Sequence, residues 1–404
     1  MLQANDVVSL TDDLTVQGPE VTWERVVQQA VAGRVSDIHV LAHKDGYGLR
    51  CRLDGDLWHQ ADFSSSFGRH LINHVKALSG MDLAETRRPL EGRMRVEVDQ
   101  RQVDLRISSL PSLHGIDMVV RLFDRAVNVL GLEELGMRPE QLSVLNDTLD
   151  RPSGLILVSG ATGSGKTTSL YAMLRRLAGS TRKLMTIEDP VEYDLPDVNQ
   201  TQVNSRIGVT FATMLKALMR QDPDVIMVGE IRDPETADTA VRAANAGNLV
   251  LATTHATRAS RSVETLLSLG VNPYFLAASL RAVVAQVLVK RLCDNCRQSL
   301  PETADMVIEP ELRKRLGADE DGHLCIGTGC EKCYGTGYHG RLGVFELLVP
   351  CDDARRMISQ GHRALDIDEH CRQDGLLSLE QSAKLAALEG KTTLEEILRV
   401  LPTI

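Results

Sequence analysis

Apolar residues change their period several times along the chain, and each change marks a different kind of element. Trp23, Val26, Val27, Ala30 and Val31 recur at helical spacing, as do Leu71, Ile72, Val75 and Leu78, which predicts two amphipathic helices. Between them, Ser36-Asp37-Ile38-His39-Val40 leads into alternating segments at 48–53 and 57–59. Asp54-Gly55 joins these segments, a pair suited to a tight hairpin turn because glycine tolerates positive φ. Segments 93–98, 102–107 and 118–123 read as further strands, so an N-terminal α/β domain is expected over 21–123, behind a polar tail at 1–20. Gly131, Gly136 and Pro139 punctuate 124–150, which reads as a linker with short helices.

From 151 the pattern changes again. Leu155-Ile156-Leu157-Val158 is a continuous apolar run of the kind buried on both faces of a parallel sheet, and similar runs follow at 184–187, 225–228 and 249–252. Helical segments separate them, so 151–290 is expected to be a three-layer α/β domain around a central sheet. A Cys- and Gly-rich module follows at 291–341, and 342–404 is mainly helical from Asp352 onward. Within that tail, Thr392 with Glu395, or Thr393 with Glu396, suits a capping box after a helix ended by Gly390; the P-loop-like Gly390-Lys391-Thr392-Thr393 lacks the first glycine, Leu385 standing there.

Composition narrows the class. The chain has 404 residues, 43% of them apolar, which suits a folded protein of two or three domains. A formal charge of -10 argues against a nucleic-acid surface spread over the molecule. The N-terminus lacks the basic and apolar regions of an export signal. The longest apolar stretch, 282–289, contains Gln286 and is closed by Lys290-Arg291, well short of the ~20 residues that span a bilayer. A membrane is therefore expected to be contacted only through partners.

Directly after the first buried run stands Gly160-Ala161-Thr162-Gly163-Ser164-Gly165-Lys166-Thr167, a Walker A pattern between a strand and a helix that continues through Thr168. Its glycines let backbone N–H groups wrap phosphates, Lys166 reaches the β- and γ-phosphates, and Thr167 holds Mg²⁺. ATP is the expected substrate. A second apolar strand ends in Val228-Gly229-Glu230, which makes Glu230 the candidate to activate the attacking water, although Gly229 replaces the usual strand-end aspartate. A third ends in Glu188-Asp189-Pro190-Val191-Glu192. Alone these acids would read as a solvated turn; at the carboxyl edge of an open sheet Glu188 becomes the second candidate carboxylate. His255, after Thr253-Thr254, stands at the same edge as a candidate γ-phosphate sensor.

Eight cysteines in a chain without an export signal favour reduced thiols and a metal over disulfides. Cys293, Cys296, Cys330 and Cys333 form two Cys-x-x-Cys knuckles, the ligand set of a closed structural Zn²⁺ site. Cys325 lies near the second knuckle and leaves a small ambiguity; Cys51, Cys351 and Cys371 read as ordinary thiols.

Taken together, the Walker A segment, the acidic segment 186–192, Val228-Gly229-Glu230-Ile231-Arg232-Asp233 and the segment 247–255 resemble the nucleotide elements of the type II secretion and type IV pilus assembly ATPases, the GspE/PilB group. Ser36-Asp37-Ile38-His39, Arg52-Leu53-Asp54-Gly55 and Asp104-Leu105-Arg106-Ile107-Ser108 look like signatures of the same family, so the resemblance covers roughly 21–404. It implies a PAS-like N-terminal domain, a RecA-like core, a zinc module and a helical C-terminal region. It also implies a cytoplasmic homo-hexamer that acts on a polytopic inner-membrane platform protein, with no direct nucleic-acid partner. By the same resemblance Arg106 and Arg121 reach the nucleotide from the N-terminal domain, Arg220 sits near it, and Lys216 stands where an arginine is expected. The tetracysteine insertion tilts the likeness toward assembly or export and away from pilus retraction. Longer secretion members carry a docking domain that does not fit in the roughly 20 residues before the first domain here, so recruitment through such a domain is not expected. Two rival readings remain from the residues alone: a DNA-uptake or DNA-translocating motor, and a scaffold that binds nucleotide without hydrolysing it.

Overall fold

The computed structural model describes residues 18–124, 130–301 and 322–401. Most of the expected tail at 1–20, part of the linker at 124–150 and the middle of the cysteine-rich segment lie outside the described residues. The chain divides into two compact units: one contains the N-terminal segment together with 290–298 and 326–341, and the other contains the remainder from 129 onward. The four knuckle cysteines therefore belong to the first unit.

In the first unit, strands β1 (Asp37–His43), β2 (Gly46–Leu53), β3 (Asp56–Phe63), β4 (Leu90–Val98), β5 (Arg101–Ser112) and β6 (Gly115–Asp124) form one sheet in the order β3-β2-β1-β6-β5-β4. Every neighbouring pair in it is antiparallel. Asp54 and Gly55 both take positive φ, which turns β2 into β3 with the twist that a two-residue hairpin requires. Helices α1 (Pro19–Ala32) and α2 (Ser65–Leu78) supply Trp23, Val26, Val27, Leu71, Ile72 and Val75 to a core shared with Ile38, Leu49, Leu105, Ile107, Met118 and Val120. Leu78 ends α2 on its exposed side rather than in that core. Because side chains alternate across a strand, residues one position away from these buried ones occupy the opposite face.

The second unit is built on a seven-stranded sheet in the order β15-β12-β7-β11-β10-β8-β9. Its strands are β7 (Gly154–Ser159), β8 (Leu184–Glu188), β9 (Val198–Gln202), β10 (Val225–Val228), β11 (Leu249–Thr254), β12 (Leu280–Leu292) and β15 (Tyr338–Leu348); β13 (Arg297–Ser299) and β14 (Cys325–Gly327) form a separate pair. From β12 through β9 every neighbouring pair is parallel. Every residue of β7, β8, β10 and β11 is buried, as continuous apolar runs demand. The stretch 282–289, read only as an apolar run, is thus a sheet strand next to the P-loop strand. Residues Leu132, Leu135, Leu145 and Leu149, the last two in α3 (Pro139–Leu149), pack into the same core as Ile156, Val158 and Leu170. The final helix, Leu394–Val400, starts where Thr393 accepts the Glu396 N–H, one of the two expected caps.

Candidate active site

Parallel register places the chemistry. Leu157, Ala252, Val228 and Ile187 lie in one cross-strand row, so the segments that leave β7, β11, β10 and β8 emerge together at the carboxyl edge of the sheet. That edge is where open α/β sheets bind ligands. The P-loop leaves β7 and enters α4 (Lys166–Leu177), with Gly165 in the left-handed region at φ 89°. Gly160 has φ 148°, and a Cβ there would lie 2.5 Å from both the Gln286 carbonyl oxygen and Ser164 Oγ. Glycine is required by space as well as by conformation. Gln286, 3% exposed on β12, donates from Nε2 to the Ser164 carbonyl at 2.7 Å and so braces the loop from the neighbouring strand. Ser164 Oγ is buried without a hydrogen-bond partner. The other loop residues Ala161, Thr162, Gly163 and Thr167 are exposed, and Thr168 is half-buried on α4.

Lys166 donates to the carbonyls of Gly160 (2.7 Å) and Ala161 (3.1 Å), so its ammonium is held inside the loop. Desolvation lowers its pKa against the opposing influence of Glu230. Lys166, Thr167, Glu188, Glu230, Thr253 and His255 line one cleft of about 140 Å³, with Phe211 and Met227 as apolar wall. Five predicted positions from four sheet strands or their exits thus share a single space.

Of the four carboxylates that line the cleft, Glu188, Asp189, Glu192 and Glu230, the two predicted to act, Glu230 and Glu188, differ in character. Glu230 pairs with Arg232 at 2.7 Å and lies 3.8 Å from His255 Nε2, whose side chain is 44% exposed. Glu188, by contrast, is 3% exposed and fully engaged. One oxygen accepts from Thr186 Oγ1 (2.5 Å) and Gln200 Nε2 (3.0 Å), and the other accepts from the Tyr171 hydroxyl. Burial, then the Glu188 carboxylate, drives the Tyr171 phenol far above its ordinary pKa, so it stays a donor. Gly229 explains itself by space: a Cβ would lie 3.1 Å from the Ile187 carbonyl oxygen, which already accepts the Gly229 N–H. Thr253 closes the edge by donating its hydroxyl to the Gly229 carbonyl at 2.6 Å. Arg220 donates to the Lys216 carbonyl, while Lys216 pairs with Glu235.

Sequence reasoning passed over Tyr171, Gln200, Arg232 and Gln286. The available signals are that Arg232 lies inside the segment 228–233 and that Gln286 interrupts an apolar strand. The other two are brought in by folding.

In the first unit, Arg106 and Arg121 are cross-strand partners on the face opposite the helices. The row continues from Arg93 to Arg106, Arg121, Asp37 and Arg52 across five strands. Arg106 stacks over the Phe123 ring at 4.3 Å, and Arg121, 63% exposed, donates to Asp37 at 2.8 Å. Burial would raise the Asp37 carboxyl, but hydrogen bonds from Arg121 and Ser36 and the Arg121 charge bring it below its ordinary value.

The four knuckle cysteines form a second centre. Sγ separations are 3.8 Å for Cys293–Cys330, 3.8 Å for Cys296–Cys333 and 3.7 Å for Cys330–Cys333, and all four atoms lie within 4.8 Å of one another. A tetrahedron with metal–sulfur bonds of about 2.3 Å has edges of about 3.8 Å, so the thiols already have the spacing of a Cys₄ ligand set. Backbone N–H groups of Cys330 and Gly337 point at Cys333 Sγ, the outer hydrogen bonds that support a thiolate ligand. Cys325 stands apart, bonded to Ser299 and His323, which removes the ambiguity about its place.

With this geometry in place, comparison with known proteins is decisive. Residues 17–399 match the family model described as type II/IV secretion system protein. The chain belongs to this family. It is 42% identical over 98% of its length to the type II secretion system protein HxcR of Pseudomonas aeruginosa, of which it covers 81%. It is 39% identical, again over 98%, to the type IV pilus assembly ATPase PilB of Thermus thermophilus, of which it covers 44%. Among solved structures, its fold matches the Legionella pneumophila ATPase DotB (TM-score 0.71, 18% identity, 99% of this chain and 100% of that one). It also matches the pilus retraction motor PilT (TM-score 0.61, 22% identity, 93% and 96%). This member of the type II/IV secretion family is an ATPase of the secretion and pilus motor type.

Proposed function

We propose that this family member hydrolyses Mg²⁺-ATP at the carboxyl edge of its parallel sheet and uses the energy to drive type II secretion or type IV pilus assembly. The observation that carries the reading is the convergence of Lys166, Thr167, Glu230 and His255 on one cleft beside the P-loop. Backbone N–H groups from Gly160 to Gly165 and the start of α4 hold the phosphates. Lys166 exchanges its two loop carbonyls for β- and γ-phosphate oxygens. Thr167 would hold Mg²⁺, which neutralises charge on the phosphates.

Glu230 takes a proton from water as the water oxygen bonds to the γ-phosphorus, the bond to the β–γ bridging oxygen breaks, and ADP and phosphate leave. To act as base, Glu230 must release Arg232. Glu188 assists by holding β8 and Tyr171 in place around the cleft. His255 senses the γ-phosphate beside Glu230, while Arg106 and Arg121 bring positive charge to the transferring phosphoryl group.

In this reading the N-terminal unit is PAS-like, the core is RecA-like, and six copies assemble in the cytoplasm. The ring is held at the inner membrane by a polytopic platform protein and needs no direct nucleic-acid partner. Cys293, Cys296, Cys330 and Cys333 would hold Zn²⁺ in a closed structural site.

The test is Mg²⁺-ATP hydrolysis per protomer across protein concentration, with mass from light scattering in the same samples and Lys166→Ala as control. Specific activity is expected to rise as a species of about six protomers appears. Equal turnover by the monomer would remove ring coupling, and strong stimulation by DNA would favour a translocating motor instead.

A further inference from the structure

Outside both centres, three side chains from two neighbouring helix ends converge at the start of the C-terminal helical region. Cys351 precedes α9 (Asp352–Ser359), and His370 and Asp374 lie one turn apart at the end of α10 (Ala364–Gln373). Cys351 Sγ is 3.6 Å from His370 Nε2 and 3.4 Å from Asp374 Oδ2, and Asp374 Oδ2 is 3.6 Å from the same Nε2. The arrangement excludes a relay of the kind found in thiol hydrolases, where the acid holds the ring nitrogen remote from sulfur. Here all three ligand atoms face one point.

That shape has a simple physical meaning. For bonds of about 2.3 Å to sulfur and about 2.0 Å to nitrogen and oxygen, a tetrahedral ion sets its ligands about 3.5 Å apart for S···N and S···O and about 3.3 Å for N···O. The three observed separations match that face of a tetrahedron to within about 0.3 Å. We propose that Cys351, His370 and Asp374 form a second metal site, with one thiolate, one imidazole and one carboxylate for a borderline-soft divalent cation of the zinc class and a fourth position left to water. Binding displaces the thiol proton to solvent and leaves histidine neutral, so neither oxidant nor reductant is needed. The ion would tie the turn after β15 to the end of α10, and its exposed side is open to an external donor ligand. Under this proposal Cys351, read from the sequence as an ordinary thiol, gains a role through a convergence that arises only when α9 and α10 fold together.

The decisive variant is Cys351→Ser. Cys351 also caps α9 by accepting the Ala354 N–H at 3.4 Å, and serine preserves that cap while removing the soft ligand. The full chain is dialysed to equilibrium against Zn²⁺ and bound metal is counted per chain. Cys351→Ser and His370→Ala are each expected to bind one ion fewer than the unsubstituted protein, with basal ATP hydrolysis unchanged. Cobalt(II) in place of zinc should show a one-thiolate charge-transfer band that both variants lose, separate from the Cys₄ absorption. Equal metal counts in all three proteins, or a second ion that survives His370→Ala, would overturn the proposal.

Discussion

The two sheets of this ATPase solve opposite problems. In the parallel part of the larger sheet β7, β8, β10 and β11 leave at the same edge, so groups far apart in sequence, from Lys166 to His255, arrive in one cleft. In the antiparallel sheet successive strands leave at alternate ends, and no common edge exists. Its arginines are instead aligned across the strands, in the row Arg93–Arg106–Arg121–Asp37–Arg52. The comparison teaches that one architecture concentrates chemistry at a point while the other spreads charge along a line. Adjacent like charges in a sheet row cost stability, a cost that Arg93, Arg106 and Arg121 carry side by side and that Asp37 offsets by pairing with Arg121.

Breaking the line should have the largest effect. Arg106→Ala or Arg121→Ala is expected to lower kcat by ~10³ or more with little change in nucleotide affinity, the signature of a group that acts on the transferring phosphoryl. Arg93→Ala at the end of the row sharpens the comparison: if only the two inner arginines meet phosphate, its kcat stays close to that of the unsubstituted protein. Steady-state kinetics with parallel nucleotide-binding titrations separates these outcomes.

A smaller effect is expected from disturbing the point. Tyr171→Phe removes one of three donors to the buried Glu188 carboxylate, and leaving that group less satisfied costs about 1–3 kcal/mol, readable as a lower midpoint in denaturant. Glu188→Gln in the same background should recover part of the loss, because the neutral amide no longer needs the third donor.

The smallest effect concerns Asp37, 6% exposed and set between Arg121 and Arg52 in the row. Its folded pKa lies below the ordinary 3.8, so the ionised form is favoured by folding. The contribution is fully present above the unfolded value and is lost as pH falls through the folded one. Stability measured from pH 6 down to pH 2 should therefore fall less steeply in Asp37→Asn than in the unsubstituted chain, and Arg121→Ala should shift the loss to higher pH.

How much of this was legible depended on how local each signal was. The P-loop, the knuckles and the Asp54-Gly55 turn could be read directly because spacing along the chain is itself the geometry. The burial of 155–158, 184–187, 225–228 and 249–252 was legible as continuous apolarity. What escaped was pairing between distant segments. Gln286 looks like a blemish in an apolar strand until β12 lies against β7, and Gln200 reaches Glu188 only because β9 extends the sheet beyond β8. Arg93 has no local mark that sets it apart from Arg95, yet register puts it in the arginine row. The assignment of the knuckles to the first unit was likewise invisible, since 290–298 and 326–341 follow the parallel sheet in sequence.

The central claim is that Glu230 activates the water that attacks ATP. The direct measurement is single-turnover hydrolysis of pre-bound Mg²⁺-ATP by Glu230→Gln, with nucleotide affinity determined on the same preparation. The account predicts near-unchanged affinity and a rate lower by ~10²–10⁴, the usual contribution of a general base. Hydrolysis at the rate of the unsubstituted protein, or loss of nucleotide binding itself, would contradict it.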